Sequence, residues 1–141
     1  MSTTKVEKHF TIGELAREVD VTTRTIRYYE ERGLLTPQRT NGQQRIYTQK
    51  DRGRLKLLLR AKGLGLKLED IKEIFDIYDA EPNAQGEYRQ YVKVREILQH
   101  RLGQIETQQA ELDLLRIELQ ARLDDVEAQM QTLNDPQKAT S

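Results

Sequence analysis

The sequence predicts a mainly α-helical protein: a winged helix-turn-helix with a small β-hairpin, followed by one long helix of the coiled-coil type. Three observations lead to this fold. Two short amphipathic helical patterns are separated by only a tight turn. An Asn-Gly pair then lies between two runs that read as short strands. Residues 88–133 contain no proline and carry apolar residues at heptad spacing.

The first helix is predicted to begin at Thr11. Thr11 and Glu14 have the spacing of a capping box, in which each side chain bonds to the other residue's backbone N–H. An apolar stripe follows at Leu15, Ala16 and Val19. Residues 1–10 precede this helix and are predicted to form a flexible arm, with Phe10 packing at its end.

The second helix is predicted to begin after Thr22, whose hydroxyl can cap it, and to end at Gly33, where a left-handed backbone costs little. Helical spacing puts four polar side chains on one face, namely Arg24, Arg27, Tyr28 and Glu31. Two guanidiniums and a phenol near a helix N-terminus suit phosphate groups and base edges. The alternative is a solvated surface without a ligand.

Residues 38–47 are predicted to form a hairpin, in which Asn41-Gly42 is the two-residue turn. Alternation puts Arg45 and Tyr47 on one face of the second strand and Ile46 on the other. A hairpin directly after such a helix has the position of a wing, which can lie along a DNA backbone. Arg39 and Arg45 are then candidate contacts, although both can also be ordinary surface charges.

Two further helices are predicted. One begins at Thr48, which has capping-box spacing to Asp51, and stops at Gly63. It surrounds its leucines with five basic residues, Arg52, Arg54, Lys56, Arg60 and Lys62. The next is an amphipathic helix from Leu68 to Tyr78. Residues 79–87 contain a proline and a glycine and are predicted to be a linker.

The long helix, residues 88–133, has a heptad row that predicts a dimerisation surface. Its apolar members include Leu98, Leu102, Ile105, Leu112, Leu119, Leu123 and Val126. Gln109 and Arg116 interrupt the row and are interpreted as register devices, with an effector niche as the alternative. One helix cannot bury its own row, so a self-partner and a homodimer are predicted; packing within the chain is the alternative. Residues 134–141 are predicted to be a flexible tail.

Composition narrows the classes of function. Residues 1–62 hold 14 Lys and Arg against 7 Asp and Glu, whereas residues 63–141 hold 9 against 16, so the neutral chain has a basic and an acidic part. Without cysteine there is no thiolate site, and the two histidines, His9 and His100, lack companions, so neither metal nor cofactor is expected. No nucleophile–base set or phosphate loop indicates an enzyme. Neither a membrane span nor a signal peptide is evident, which predicts a cytoplasmic location.

Three runs of residues resemble the MerR family of bacterial transcription regulators. They read T-I-G-E-L-A-R-E-V-D-V-T-T-R-T-I-R-Y-Y-E-E-R-G-L-L-T-P, then R-I-Y-T-Q-K-D-R-G-R-L, then G-L-G-L-K-L-E-D-I-K-E-I. The resemblance covers residues 11–78 and implies a winged helix-turn-helix with an antiparallel coiled coil between subunits. It further implies homodimers that bind inverted repeats in promoters, bend and untwist the DNA, and act on RNA polymerase there.

The resemblance also assigns residues. It implies DNA contacts from Thr23, Arg24, Arg27 and Tyr28 of the second helix, and backbone contacts from Arg45 and Tyr47 of the wing. Thr22, at the start of that helix, and Arg39, on the wing, are further candidate DNA contacts from their positions alone. Within the family, the chain looks most like the cysteine-free branch that controls branched-chain amino-acid and fatty-acid catabolism. That branch implies repression relieved by an acyl or acyl-CoA intermediate, although no residue identifies an effector. Lys67 stands where the family usually starts a helix with Ser or Thr.

Two classes of function remain after this reading. The first is a dimeric, sequence-specific regulator of double-stranded promoter DNA. The second is an architectural DNA-bending or excisionase-like protein without effector control. The long dimerisation helix favours the first class, because a simple DNA bender does not need it.

Overall fold

A computed structural model describes residues 8–133. The outer part of the predicted arm (residues 1–7) and the whole predicted tail (residues 134–141) lie outside the described residues. The elements in chain order are α1 (Ile12–Val19), α2 (Thr23–Glu31), β1 (Gln38–Arg39), β2 (Arg45–Ile46), α3 (Gln49–Gly63), α4 (Leu68–Ala80) and α5 (Ala84–Thr132). The predicted mainly α-helical fold, with a small antiparallel hairpin and a long last helix, is confirmed.

The described chain divides into an N-terminal unit, which ends at Ile97, and a C-terminal unit, which begins at Leu98. The N-terminal unit has one apolar core, to which every helix of that unit contributes. Its most deeply buried side chains are Leu15, Ile26, Tyr29, Leu34, Leu35, Tyr47, Leu55, Leu58 and Ile71. Phe10 is also buried, so the end of the predicted arm belongs to this core.

The predicted helix starts are confirmed by their caps. In α1 the backbone N–H of Glu14 donates to the Thr11 hydroxyl at 3.2 Å, and the reciprocal half of the capping box is present. Thr48 and Asp51 form the same box at α3. Each such cap stabilises a helix by about 1 kcal/mol. At α4 the cap position is Lys67, which makes no side-chain cap hydrogen bond.

One of two predicted boundaries is confirmed and the other is wrong. Helix α3 ends at Gly63, as predicted, and the left-handed residue that follows it is Gly65, with φ of +78°. The predicted linker is shorter than residues 79–87, because α4 continues to Ala80 and α5 begins at Ala84. Helix α5 begins earlier than predicted because the Asn83 side chain caps it, accepting the N–H of Gly86 at 3.0 Å. Gly86 permits this turn, because a Cβ there would lie 1.7 Å from the Glu81 carbonyl oxygen.

Tyr29 carries a polar atom that the core does not satisfy. Its ring is fully buried in α2, and its hydroxyl has no hydrogen-bond partner among residues 8–133. A buried, unpaired hydroxyl costs stability that a phenyl ring does not. We therefore expect Tyr29→Phe to raise the free energy of unfolding by about 1 kcal/mol. Urea unfolding followed by circular dichroism measures this, and an equally large loss of stability would show that the hydroxyl has a partner.

The C-terminal unit consists of α5 from Leu98 onward. All seven predicted dimerisation residues lie on it and are at least 36% exposed. The heptad row therefore stays a predicted dimerisation surface. Despite its length, α5 is too polar to cross a bilayer, and the same holds for the other described helices.

Candidate DNA-binding surface

One side of helix α2 is buried in the core and the other side is exposed. Ile26 and Tyr29 are fully buried in the core of the N-terminal unit. The exposed side carries Arg24, Arg27 and Tyr28, as the helical spacing predicted. The Arg27 guanidinium donates to the Thr23 hydroxyl at 3.0 Å, which holds it along the helix surface. A rigid core thus presents two cations and a phenol together.

The exposed Tyr28 ring of this surface is held by contacts with its neighbours. Its side chain is 45% exposed. The guanidinium of Arg32 lies over its ring, 5.9 Å from the centroid, and Tyr29 makes a tilted ring contact at the same distance. These contacts restrict the ring and leave an aromatic side chain with a polar tip at the surface. Such a side chain can contact both sugars and phosphates.

Thr22 has a structural task at the start of α2. Its hydroxyl accepts the N–H of Thr25 at 3.1 Å and is 3.0 Å from the Thr25 hydroxyl. This cap uses one backbone N–H group. The other N–H groups of the first turn of α2 stay at the helix N-terminus, where the helix dipole favours anions. The geometry therefore fits a phosphate near Thr22 and Thr23, with the Thr22 side chain as an organising group.

The hairpin forms, but its predicted two-residue turn is wrong. Thr40 donates its N–H to the Gln44 carbonyl at 2.9 Å, which leaves three residues, 41–43, in the loop. Gln43 takes the left-handed conformation, with φ of +67°, whereas Asn41 and Gly42 do not have positive φ. A turn followed by one left-handed residue fits the twist of the strands as well as the turn that Asn-Gly suggested. The register places Arg39 opposite Arg45.

Glu30 joins the wing to α2, a link that the sequence reasoning missed. Its carboxylate accepts the Arg45 Nε–H at 2.7 Å and forms an ion pair with Arg39 at 3.6 Å. Arg39 also donates to the Gln43 carbonyl at 3.2 Å. Both candidate wing arginines are therefore held beside α2 by one glutamate. No local sequence signal reveals this contact, because 15 residues separate Glu30 from Arg45.

Tyr47 was predicted to contact DNA, and its position corrects that prediction. The side chain is fully buried, and its backbone pairs with Phe10 through two hydrogen bonds of 2.8 Å. Its hydroxyl donates to Glu30 at 3.4 Å. Burial, together with the nearby Glu30 charge, raises the pKa of Tyr47 to about 12. Alternation along β2 placed Arg45 and Tyr47 on one face, and both side chains do reach the Glu30 carboxylate. That face is turned toward α2 and the core, so Tyr47 supports the wing from within.

Much of the basic charge on α3 is paired inside the N-terminal unit. Arg52 and Lys56 both form ion pairs with Glu18 of α1, and Lys50 and Arg54 both pair with Asp79 of α4. These pairs also lay beyond sequence reasoning, since the members of every pair are 25 or more residues apart. These four basic side chains of α3 therefore have acidic partners within the N-terminal unit, as the two wing arginines have in Glu30.

Glu18 gives a test of this internal pairing. Hydrogen bonding to Arg52, with the charges of Arg52 and Lys56, lowers the pKa of Glu18 from 4.5 to about 2. Because the folded pKa is the lower one, the pair stabilises the fold above pH 4.5 and this stabilisation is lost as the pH falls toward 2. We expect Glu18→Gln to remove part of the acid-induced loss of stability. Thermal melts between pH 5 and about 2.5 measure it, with Glu31→Gln as the exposed control; identical profiles for Glu18→Gln and the parent would contradict it.

In the part of the chain that the structure describes, no group of three or more His, Cys, Asp or Glu side chains is arranged to hold an ion. The full sequence contains no cysteine. His100 lies near Gln104, one helical turn away, in an exposed stretch of α5.

Comparison with known proteins agrees with this surface. Residues 10–76 match the family described as "MerR HTH family regulatory protein", and residues 52–122 match "MerR, DNA binding". The chain is 38% identical over 117 residues to the HTH-type transcriptional regulator ZntR of Escherichia coli K12, covering 82% of this chain and 79% of that protein.

Two solved structures are similar over most of the chain. HiNmlR, described as a MerR family regulator lacking the sensor domain and bound to promoter DNA, has a TM-score of 0.59 and 25% identity, and the match covers 86% of this chain and 94% of that one. PbrR691 of Ralstonia metallidurans CH34, a transcription regulator in complex with lead(II), has a TM-score of 0.64 and 29% identity over 79% and 84% of the two chains. The chain therefore belongs to the MerR family of helix-turn-helix regulatory proteins, and it is a DNA-binding transcription regulator.

Proposed function

We propose that the protein is a homodimer that binds an inverted repeat in a promoter, with one N-terminal unit on each half-site. The observation that carries this proposal is the open face of α2, held beside the wing arginines by Glu30. An α-helix of this kind fits the major groove, and a wing beside it reaches the flanking backbone. HiNmlR, a structural relative, was solved on promoter DNA. Because promoter DNA is its proposed partner, we place the protein in the cytoplasm.

The residues divide into two kinds of contact. Arg24 and Arg27 are the base-reading candidates, because a guanidinium can donate two hydrogen bonds to guanine. The remaining side chains of the surface, Thr22, Thr23, Tyr28, Arg39 and Arg45, suit phosphate and sugar contacts, which position the protein without specifying sequence. We assign Tyr47 no direct contact, since it is buried.

Deformation of the promoter is the proposed mode of action. Two N-terminal units that bind successive half-sites can bend or untwist the DNA between them. The deformation costs several kcal/mol and is offset by additional contacts. Such a change alters how RNA polymerase meets the promoter, so the same device can repress or activate. An architectural protein without effector control is the alternative, and the exposed apolar row of α5 favours a dimeric regulator over it.

The effector class is narrowed by the sequence. PbrR691 binds lead(II), and soft metal ions prefer thiolate ligands. This chain contains no cysteine, so a thiolate site is not available to it, and we do not propose metal sensing. Repression of catabolic genes, relieved by an acyl or acyl-CoA compound, stays a prediction of the sequence resemblance; the relatives reported above give no support for it.

Arg24→Ala tests the base-reading role. Arg24 lies on the exposed face of α2, so its loss leaves the core intact. We expect the preferred operator to bind more weakly by about 1–3 kcal/mol per half-site, with discrimination relaxed at one base position. Competition binding against operators varied at each base measures this. Arg89→Ala is the matched control, because Arg89 is an exposed arginine of α5 paired with Glu81. Unchanged affinity of Arg24→Ala for every operator would remove Arg24 from the interface.

Footprinting distinguishes the regulator from an architectural protein. Duplexes selected from genomic DNA are footprinted with and without candidate acyl-CoA compounds. A protected inverted repeat within a promoter supports the proposal, and an effector-dependent change in its cleavage pattern identifies the signal. Uniform protection of unrelated duplexes would favour the architectural alternative.

A further inference from the structure

Three side chains from the hairpin and its end converge on the Glu30 carboxylate of α2. The Arg45 Nε–H donates to it at 2.7 Å, the Tyr47 hydroxyl donates at 3.4 Å, and a terminal nitrogen of Arg39 lies 3.6 Å away. The Glu30 side chain is 20% exposed, so the carboxylate lies at the edge of the core. One negative charge is therefore shared by two wing arginines, which lie directly opposite each other in the hairpin.

The two arginines are held in different ways. The contact of Arg45 is short and joins its inner nitrogen, Nε, to the carboxylate, which is the geometry of a charge-assisted hydrogen bond. The contact of Arg39 is longer than a hydrogen bond, and its guanidinium also donates to the Gln43 carbonyl at 3.2 Å. The Arg39 side chain is 44% exposed, against 31% for Arg45. Arg45 is therefore fixed to α2, whereas Arg39 is only loosely paired with it.

We propose that Glu30 has opposite effects on the two arginines when the wing meets DNA: it positions Arg45 on a phosphate, and it competes with a phosphate for Arg39. The proposal rests on the DNA-binding function proposed above. It assigns a role in DNA affinity to an acidic residue that does not itself contact the DNA. The ligand is the phosphodiester backbone, and Arg39 reaches it by exchanging one anionic acceptor for another.

Arg45 can bind a phosphate without leaving Glu30. A guanidinium has five N–H donors, of which Glu30 uses the one on Nε. The terminal nitrogens of Arg45 form no hydrogen bond within residues 8–133. Moving Arg45 away would leave a largely buried carboxylate without its strongest partner, which is costly. Arg45 therefore stays with Glu30 and offers its terminal nitrogens to the backbone.

Arg39 loses little by the exchange. An exposed ion pair without a hydrogen bond contributes little, because solvent screens it. A phosphate offers the guanidinium two oxygens instead, and the DNA releases bound cations when an arginine neutralises it. Glu30 keeps Arg45 and Tyr47 as partners after Arg39 has moved. Because burial raises the pKa of Tyr47, its hydroxyl retains the proton that it donates to Glu30.

Glu30→Gln separates the two effects, because it removes the charge and keeps a side chain of the same shape. The new amide oxygen can still accept from Arg45, but a neutral acceptor holds a guanidinium less firmly than a carboxylate does. Arg45 should then be less well placed and contribute less to operator affinity. Arg39 should contribute more, because no carboxylate competes for it.

Double-mutant cycles of operator affinity test the proposal on the full-length chain. Arg39→Ala and Arg45→Ala are each measured in the parent and in Glu30→Gln, at one salt concentration, on an operator selected from random duplexes. We expect Arg39→Ala to weaken binding by about threefold more in Glu30→Gln than in the parent, and Arg45→Ala by about threefold less. A purely structural Glu30 would couple to both arginines in the direction expected for Arg45. Coupling of the same sign for both, or coupling to neither, would overturn the proposal.

Glu31→Gln is the matched control. Glu31 is the next residue of α2 and is exposed, so its replacement removes the same charge one position away. It should show no coupling to either arginine, and coupling as large as that of Glu30→Gln would overturn a specific role for Glu30. Circular dichroism melts confirm that each variant is folded. Arg45→Lys keeps the charge and loses the Nε hydrogen bond, so it replaces Arg45→Ala if that variant does not fold.

The salt dependence of binding provides an independent readout. If Arg39 exchanges Glu30 for a phosphate, Arg39→Ala should reduce the slope of log affinity against log salt by about one per subunit. An unchanged slope would contradict the exchange. Absence of any preferred operator would contradict the function proposed above, whereas a preferred operator without coupling of opposite sign would contradict only this inference.

Discussion

Replacing Leu112 and Leu119 of α5 by aspartate is expected to convert the protein into a monomer and to weaken operator binding by about 1,000-fold. Both side chains are exposed members of the heptad row. A carboxylate at either position would have to be desolvated when two helices close over it, which costs several kcal/mol. A monomer then contacts one half-site, and the gain from linking two binding events is lost. Sedimentation and operator titration measure the two effects.

The chain offers a matched control on the other side of the same helix. Leu114 and Ile117 are as exposed as the row residues but fall outside the heptad positions. Leu114→Asp with Ile117→Asp introduces the same charges without touching the row. This control is expected to remain dimeric and to bind normally. Equal loss of dimer in both double variants would mean that the heptad row is not the interface.

Tyr47→Ala is expected to destabilise the N-terminal unit by about 3–5 kcal/mol, a large fraction of the stability of a domain this size. The side chain is fully buried in the core of the N-terminal unit and its hydroxyl reaches Glu30, so its removal leaves a cavity and takes away the support under β2. DNA binding should fall with the folded fraction. Denaturant unfolding and operator titration on the same samples measure both quantities.

Tyr47→Phe separates packing from a DNA contact. It keeps the buried ring and removes only a hydroxyl that donates at 3.4 Å to Glu30. Stability should change by about 1 kcal/mol or less, and operator affinity by less than about threefold. A tenfold loss of affinity in a stably folded Tyr47→Phe would show that the hydroxyl reaches the DNA after all.

Local signals predicted the helices of the N-terminal unit well, because each depends on residues a few positions apart. The capping pairs Thr11 with Glu14 and Thr48 with Asp51 are of this kind, as is the buried pair Ile26 and Tyr29 of α2. Periodicity also predicted the long helix and the open face of α2. These features follow from helical geometry and capping chemistry alone.

Contacts between distant segments could not be predicted in the same way. The pairing of Glu30 with Arg45, and that of Glu18 with Arg52, depend on how α2 meets the wing and α1 meets α3. Tyr47 was assigned to the surface because strand alternation does not reveal that the backbone joins Phe10. The early start of α5 depended on the close approach of Gly86 to Glu81.

The stoichiometry on DNA tests the central claim most directly. An operator is selected from random duplexes, and the mass of its complex with the full chain is measured by sedimentation on three duplexes: the intact inverted repeat, a single half-site, and a repeat whose half-sites are moved apart by about half a helical turn. The account predicts two chains bound tightly to the intact repeat and a loss of affinity of about 100-fold or more on the other two. One chain per duplex, or equal affinity for all three, would contradict it.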